Sequence, residues 1–361
     1  MNKKNHKMKK YFWLSILLIS VFYLYSCNQS ETINPSPVQD LDSNYFYNPV
    51  LQSGADPQVF ANDGWYYFMS TTGNLTLKRT REMTQLQKAE TKVLWTPPET
   101  GMWSNSIWAP EIHFLQGKWY VYFAADDGDN ANLRMYAVEN ASGDPFQGEW
   151  ILKGQLKPST DRWAIDGSVF EDSGKLYFIW SGMAGKEENI AQNIYIAQME
   201  NPWTIKGDRV LISTPEFAWE SKGASPEEPK VNEGPVMLKG MDKLFITYSA
   251  SGCWTDDYCL GMLTANSGAD LLNPSSWVKS KVPVLQKSVE NGVFAPGHNG
   301  FFKSSDGKED WIIFHANDYS GDGCGGSRKP RIQKITWKPD GTPDFGSPVP
   351  NRTAVKKPSG E

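Results

Sequence analysis

The chain has 361 residues, a formal net charge of −5 and an aromatic content of 13%, with 15 Trp, 15 Tyr and 17 Phe. It has no face-sized basic cluster beyond the N-terminus, which argues against nucleic acid as a partner. The length exceeds one ordinary compact core and favours repeated small sheet cores around an axis.

The first 27 residues predict an export signal. Five lysines between positions 3 and 10 precede an apolar stretch, Tyr11 to Tyr25, that is short for a membrane-spanning helix. The following LYSC, ending at Cys27, fits a bacterial lipobox; the alternatives are a plain cleaved signal or a short anchor helix. On the lipobox hypothesis, residues 1–26 are a lipoprotein signal peptide, Cys27 is lipidated and residues 27–45 form a polar tether. We therefore expect an exported lipoprotein of the cell envelope, in the periplasm or on the outer-membrane surface, that meets the membrane only through its lipid.

Five times along the remaining chain, an apolar strand opens with a polar residue and an aromatic-rich strand follows. The openings ADPQVF, APEIHF, IDGSVF, NEGPVML and PGHNGFF carry Asp56, Glu111, Asp166, Glu233 and His298, at intervals of 55, 55, 67 and 65 residues. This period, with four period-two strands in each unit, predicts an all-β fold, a five-bladed β-propeller. A single catalytic domain would span residues 46–349, followed by a polar tail at 350–361 that we expect to be disordered.

Blades start at the central axis, so the opening side chains should share one funnel. Two carboxylates across a sugar-sized funnel can cleave a glycosidic bond if one is protonated and the other ionised. A third carboxylate nearby raises the pKa of the acid. Asp56, Asp166 and Glu233 supply such a trio, although each alone could simply cap backbone amides.

The ordered set ADPQVF, WAPEIHF, WAIDGSVF and NEGPVML resembles glycoside hydrolase family 43, whose members are five-bladed propellers acting as inverting arabinosidases and xylosidases. The resemblance covers essentially the whole mature chain. It implies that Asp56 is the general base, that Glu233 is the general acid, and that Asp166 raises the pKa of the acid and holds it in place. No cofactor is required for this chemistry.

The same resemblance implies further site residues. Glu111 matches a position that orients substrate hydroxyls or holds an arginine, with a purely structural role as the alternative. His298 matches a histidine near the axis, close to a bound cation or water cluster, which suggests a structural calcium ion there; the alternative is a satisfied core histidine. Arg331 matches an arginine of the last blade that reaches the trio, with Arg328 as its competitor.

Four tryptophans are candidates for stacking on a sugar ring. They are Trp103, Trp108, Trp163 and Trp254. The alternative for each of them is packing between blades.

Export would place the remaining cysteines in an oxidising compartment. The loop GCWTDDYC predicts a disulfide between Cys253 and Cys259, which would leave Cys324 unpaired.

The loop SASGCWTDDYCLGML, together with WAPEIHF, resembles members active on α-1,5-linked arabinofuranosyl chains. The expected function is therefore exo-acting release of L-arabinofuranose from arabinan or its oligosaccharides, by a monomer. The long segment from Ser213 to Val231 would close one side of the funnel and favours exo action. Endo-arabinanases and β-xylosidases share the trio and remain alternatives. A non-catalytic glycan-binding propeller would use the aromatic residues but lack the trio.

Overall fold

The computed structural model describes residues 43–185 and 191–361. The predicted signal peptide, Cys27 and nearly all of the predicted tether lie outside these residues. Within the described part of the chain, no helix is long and apolar enough to cross a membrane.

Five antiparallel sheets, each in simple sequence order, form the blades, and a short strand β1 (Tyr45–Phe46) precedes them. Blade 1 contains β2 (Gln58–Asn62), β3 (Trp65–Met69), β4 (Leu75–Thr80) and β5 (Glu90–Trp95). Blade 2 contains β6 (Asn105–Leu115), β7 (Lys118–Asp126), β8 (Arg134–Asn140) and β9 (Ile151–Gln155). Blade 3 contains β10 (Ala164–Asp172), β11 (Lys175–Met183), β12 (Gln192–Asn201) and β13 (Thr204–Ser213). Blade 4 contains β14 (Asn232–Lys239), β15 (Lys243–Ala250), β16 (Cys259–Asn266) and β17 (Val278–Lys279).

Blade 5 contains three strands, β18 (Phe294–Lys303), β19 (Asp310–Asn317) and β20 (Lys329–Lys334). Two further pairs are β21 (Thr336–Trp337) with β22 (Pro343–Asp344), and β1 with β23 (Val355–Lys356). The helices of the described residues are short 3-10 turns at Met83–Lys88, Asn130–Asn132, Ala218–Glu220 and Pro274–Ser276. The first strands of successive blades contact one another in circular order, and β18 returns to β2. The arrangement confirms the predicted all-β, five-bladed propeller.

The second strand of each blade is buried on both faces, because a blade is covered by a neighbour on either side. In β7, Trp119 and alternate residues after it pack against blade 1, where the Trp119 ring lies 4.9 Å from that of Tyr67. The residues between them pack against blade 3, where the ring of Tyr122 lies 5.9 Å from that of Phe178. One period-two strand therefore contributes to two separate cores.

The N-terminal segment closes the ring by lying along the open edge of β20. The backbone N–H of Val50 donates to the carbonyl of Pro330 at 2.9 Å, and that of Gly54 to the carbonyl of Arg328 at 3.0 Å. The side chain of Asn48 bonds both backbone groups of Ile332, at 2.8 and 2.9 Å. Residues before the first blade thus take the place of a fourth strand in the last blade.

The tail is ordered, contrary to the expectation of disorder. β23 pairs with β1, and the side-chain carboxylate of Glu361 accepts hydrogen bonds from the N–H groups of Met83 (2.7 Å) and Thr84 (3.2 Å). The Glu361 carboxylate lies at the start of a helical turn, where it satisfies N–H groups that have no partner within the turn. At least this polar residue of the tail therefore has a structural role.

Candidate active site

The polar residues that open the blades lie at breaks in strand register. Pairing between β10 and β11 is interrupted around Asp166, that between β14 and β15 after Glu233, and that between β18 and β19 around His298. Asp166 and His298 have positive φ values of 57° and 43°, and Asp56, just before β2, has 57°. Bulges re-aim side chains, and strained backbone of this kind clusters at functional sites. The bulges therefore explain how side chains of several strands turn toward one place.

Both carboxylate oxygens of Asp56 accept hydrogen bonds from side chains. Arg328 Nη1 donates to Oδ1 at 2.9 Å, and the hydroxyl of Thr71 donates to Oδ2 at 2.7 Å. Thr71 in turn accepts from the N–H of Ala109 at 2.9 Å, which links blade 1 to the opening of blade 2. The N–H of Asp56 donates to Nδ1 of His315 at 3.0 Å. These contacts fix the carboxylate in one orientation.

The surroundings of Asp56 favour its charged form. Burial alone would raise its pKa, but His298, Arg328 and His315, with the Thr71 hydroxyl, outweigh burial and hold the pKa well below the usual range. Asp56 is therefore ionised at neutral pH, as a general base must be.

The surroundings of Glu233 shift its pKa in the opposite direction, toward the protonated form. Burial, reinforced by the charge of Asp56, raises its pKa to about 7, although the Tyr258 hydroxyl and Arg328 act in the other direction. The Tyr258 hydroxyl donates to Glu233 Oε1 at 2.8 Å. Asp56 and Glu233 thus have pKa values on opposite sides of the normal carboxyl range, the pattern of an acid and base pair.

Asp166 lies beside Glu233 and contacts the backbone that follows it. The N–H of Gly234, the residue after Glu233, donates to Asp166 Oδ2 at 3.1 Å. Burial and the charges of Glu233 and Asp56 raise the pKa of Asp166 well above its ordinary value. Because Asp166 and Glu233 are buried together, ionisation of one opposes ionisation of the other.

Glu111 is buried and bonded to a histidine rather than to an arginine. His113 Nε2 lies 3.0 Å from Glu111 Oε2. The charge of Glu111 raises the pKa of Asp166, although burial and two other carboxylates contribute more. Glu111 thus belongs to the electrostatic surroundings of the trio.

His298 lies between two members of the trio, with Nδ1 3.4 Å from Asp56 Oδ1 and 3.8 Å from Asp166 Oδ2. Burial lowers its pKa, against the opposing charge of Asp56. The structure does not confirm the suggested calcium ion. Among the described residues no group of three or more His, Cys, Asp or Glu side chains could hold a metal, whereas calcium takes six to eight oxygen ligands.

The prediction that Arg331 reaches the trio is wrong, because its side chain contacts other residues. Its guanidinium is buried, and Nη2 bonds Asp318 Oδ1 at 2.6 Å and also contacts Asn351. A buried guanidinium needs such partners. Asp318 lies in the loop between β19 and β20, and Asn351 lies in the C-terminal tail. Arg328, in the loop before β20, is the arginine that reaches Asp56.

The predicted disulfide is also wrong. Cys253 is bonded to Cys324, and Cys259 is a buried free thiol. Cys259 begins β16 and packs into the core between blades 3 and 4, so its side chain is directed away from the loop that carries Cys253.

The four tryptophans divide into two groups. Trp108 and Trp254 are 37% and 36% exposed, so part of each ring is free to contact a sugar. Trp163 and Trp103 are partly buried against core clusters. The indole of Trp163 donates to Asn130 Oδ1 at 3.0 Å, and Trp103 packs edge-on against Tyr136. Trp103 therefore contributes mainly to blade packing.

Three residues of this site are not indicated by the sequence motifs. Thr71, Tyr258 and His315 contact Asp56 or Glu233, yet none of them opens a blade. Thr71 and Tyr258 follow the second strands of blades 1 and 4, and His315 lies near the end of the second strand of blade 5. The second strands end on the face where first strands begin, so their final residues and following loops could have been searched for polar side chains.

Comparisons with known proteins agree with this geometry. Residues 46–343 match the family described as "Glycosyl hydrolases family 43". The extracellular exo-α-(1→5)-L-arabinofuranosidase of Streptomyces avermitilis is 42% identical over 314 residues, covering 84% of this chain and 64% of the relative. The enzyme of the same name from Streptomyces chartreusis is 38% identical over 76% of this chain and 83% of its own.

A solved structure of an arabinofuranosidase is also similar to this chain. The α-L-arabinofuranosidase of Lactobacillus brevis superposes with a TM-score of 0.79 at 37% identity, covering 85% of this chain and 98% of that one. The chain spans only about two thirds of the Streptomyces avermitilis relative, at 64%. The matched residues include all five blade openings and the whole trio, and the chain belongs to glycosyl hydrolase family 43.

Proposed function

We propose that this protein is an inverting, exo-acting α-L-arabinofuranosidase that releases L-arabinofuranose from α-1,5-linked arabinan or arabino-oligosaccharides. The observation that carries the proposal is the pair of opposite pKa shifts in one buried cluster: the pKa of Asp56 is held well below the usual carboxyl range, and that of Glu233 is raised to about 7. The activities for which the Streptomyces and Lactobacillus relatives are named support the choice of sugar.

In the proposed reaction, the carboxylate of Asp56 takes a proton from a water molecule whose oxygen attacks the anomeric carbon. The glycosidic C–O bond breaks, and Glu233 transfers its proton to the departing oxygen. Thr71 and Arg328 keep Asp56 in place for the attack. Asp166 accepts a hydrogen bond from the backbone N–H of Gly234 beside Glu233, and the two buried carboxyl groups oppose each other's ionisation. No cofactor enters these steps, and the calcium ion is not part of the proposal.

Exo action is supported by the segment between β13 and β14. Its residue Gly223 accepts a hydrogen bond from the exposed Trp254 at 3.1 Å, and Lys222 accepts one from the N–H of Gly252 at 2.9 Å. The buried carboxylate of Glu220 bonds Asn232, the residue before the acid, at 3.1 Å. A long segment tied to the acid blade in this way favours a closed pocket over an open cleft. Trp108 and Trp254 would stack on the sugar.

The test is chromatography of the products from linear α-1,5-arabinan over time, with the Asp56→Asn variant as the inactive control. Arabinose alone at early times supports the proposal. A ladder of oligosaccharides would instead indicate an endo-arabinanase, and cleavage of aryl xyloside in place of aryl arabinofuranoside would indicate a β-xylosidase. Binding without cleavage would indicate a glycan-binding propeller.

We also propose export as a monomeric lipoprotein attached through Cys27, consistent with the extracellular description of the Streptomyces relatives. Labelled palmitate should be incorporated into the wild-type protein and lost in Cys27→Ser. Incorporation that persists in the variant would remove Cys27 from this role.

A further inference from the structure

Two loops beside the site are joined covalently. Residues 251–258 connect β15 to β16 in blade 4, and residues 318–328 connect β19 to β20 in blade 5. The disulfide between Cys253 and Cys324 joins them. Asp256 of the first loop also accepts hydrogen bonds from the N–H of Gly321, at 2.8 Å, and from the hydroxyl of Ser320. The two loops, which we call the clamp, are thus bound together by one covalent and two polar contacts.

Each loop of the clamp ends in a side chain that contacts one partner of the acid and base pair. Tyr258, the last residue of the first loop, donates to Glu233 at 2.8 Å. Arg328, the last residue of the second loop, donates to Asp56 at 2.9 Å. The clamp therefore contacts acid and base at the same time.

A histidine links these two contacts inside the site. The ring of His315 is parallel to that of Tyr258, with an interplanar angle of 3° and a centroid distance of 5.7 Å. Its Nδ1 accepts the N–H of Asp56 at 3.0 Å. Displacement of the Tyr258 ring would remove a face on which this histidine packs.

Tyr258 has little room to move. It is 1% exposed, and a Cβ added at Gly297 would lie 2.2 Å from its Cε1 atom. The glycine of the PGHNGFF opening is therefore needed for the tyrosine to fit. A ring packed this closely holds its hydroxyl at one position relative to Glu233.

Resting on the proposed function, we propose that the clamp is a single positioning element for catalysis, in which Tyr258 orients the acid Glu233, Arg328 orients the base Asp56, and the Cys253–Cys324 bond keeps both in register. Tyr258 is a positioning residue, since it acts through Glu233.

The proposal predicts a pH signature. Four groups act electrostatically on Glu233: the Tyr258 hydroxyl, Asp56, Arg328 and the paired Asp166. The hydroxyl stabilises the carboxylate form, so its removal raises the pKa of Glu233 and moves the basic limb of the kcat/KM profile to higher pH. A purely structural tyrosine would lower activity without moving this limb.

The experiment compares Tyr258→Phe, the double variant Cys253→Ser with Cys324→Ser, and the combined triple variant, on arabinotriose and on a nitrophenyl arabinofuranoside. Tyr258→Phe should lower kcat/KM on arabinotriose by about 10- to 100-fold, the range for a hydrogen bond to a charged group. The loss should be smaller on the nitrophenyl substrate, whose leaving group needs little protonation, and the basic limb should shift upward. Tyr47→Phe, at an exposed tyrosine outside the clamp, is the matched control and should behave like wild type.

The double variant should lose activity on both substrates, and Tyr258→Phe should cost less in that background than in wild type, because the two changes act on one element. Additive effects of the tyrosine and cysteine changes would overturn the clamp. So would a Tyr258→Phe variant that loses equal activity on both substrates and keeps the wild-type pH profile. Thermal melts establish whether each variant is folded. If Tyr258→Phe does not fold, the cysteine double variant tests the proposal, because the clamp predicts that it loses activity on both substrates. Wild-type protein inactive on both substrates would overturn the proposed function and the clamp with it.

Discussion

Arg328 Nη1 lies 2.9 Å from Asp56 Oδ1, so a cation from the loop between β19 and β20 of blade 5 holds a carboxylate at the start of the first blade. The two residues become neighbours only when the ring closes. The carbonyl of Arg328 also accepts the N–H of Gly54, two residues before Asp56. The position of Asp56, the proposed base, and the closure of the fold therefore depend on the same short stretch of chain.

Arg328→Ala should lower kcat on every arabinofuranoside by about 100-fold, because the charged hydrogen bond that holds Asp56 is lost. Arg331→Ala should instead lower the melting temperature, since it leaves Asp318 without its buried partner. Steady-state kinetics and thermal melts of both variants measure the contrast. A near-normal kcat in folded Arg328→Ala would exclude this role.

Glu233→Gln should depend on the leaving group. Cleavage of arabino-oligosaccharides should fall by about 1,000-fold, within the range for general acid catalysis, while a nitrophenyl substrate is affected much less. Asp56→Asn should abolish activity on both, since the water is no longer activated. Equal losses for the two substrates in Glu233→Gln would mean that Glu233 is not the acid.

The kcat/KM of the wild type should decline as pH rises through about 7, because Glu233 has a pKa of about 7 and must be protonated to act. The pKa of Asp56 is lowered, so the base stays ionised well into the acidic range. Rates on arabinotriose between pH 4 and 9 test this, and Glu233→Gln assayed on the nitrophenyl substrate should lack the basic limb. A basic limb retained in that variant would assign it to another group.

The first sugar released should have the inverted configuration. A base that activates water and an acid on the other side of the bond displace the leaving group in one step, so the anomer changes. Proton NMR of the reaction at early times, before mutarotation, distinguishes the two anomers. Retained configuration would make Asp56 a nucleophile instead of a base.

Local motifs made part of this site predictable. Asp56, Asp166 and Glu233 each open a strand within a short run of residues that repeats along the chain, so their common location follows from the blade period. Thr71, Tyr258 and Arg328 lie in loops, whose paths depend on contacts between blades. The blade period does not encode these contacts; of the three residues, the sequence indicates only Arg328, as the competitor of Arg331.

The disulfide shows the same limit. Cys253 and Cys259 are close in sequence, but the bonded partner Cys324 is 71 residues from Cys253. Neighbouring blades bring equivalent loops together, whereas Cys259 already belongs to a strand whose side chain faces a core. Distance along the chain is a poor guide to pairing in a propeller, because equivalent positions recur one blade apart.

Asn48→Ala should destabilise the propeller without changing the chemistry of the folded protein. The Asn48 side chain is 4% exposed and supplies both a donor and an acceptor to the backbone of Ile332. Its removal leaves two buried backbone groups unpaired, each at a cost of about 1–3 kcal/mol. Urea unfolding of Asn48→Ala should therefore give a lower midpoint, while Met241→Ala, at a fully exposed side chain, should match wild type. An unchanged midpoint in Asn48→Ala would mean that the other contacts of the N-terminal segment, such as that of Val50 with Pro330, close the ring without this asparagine.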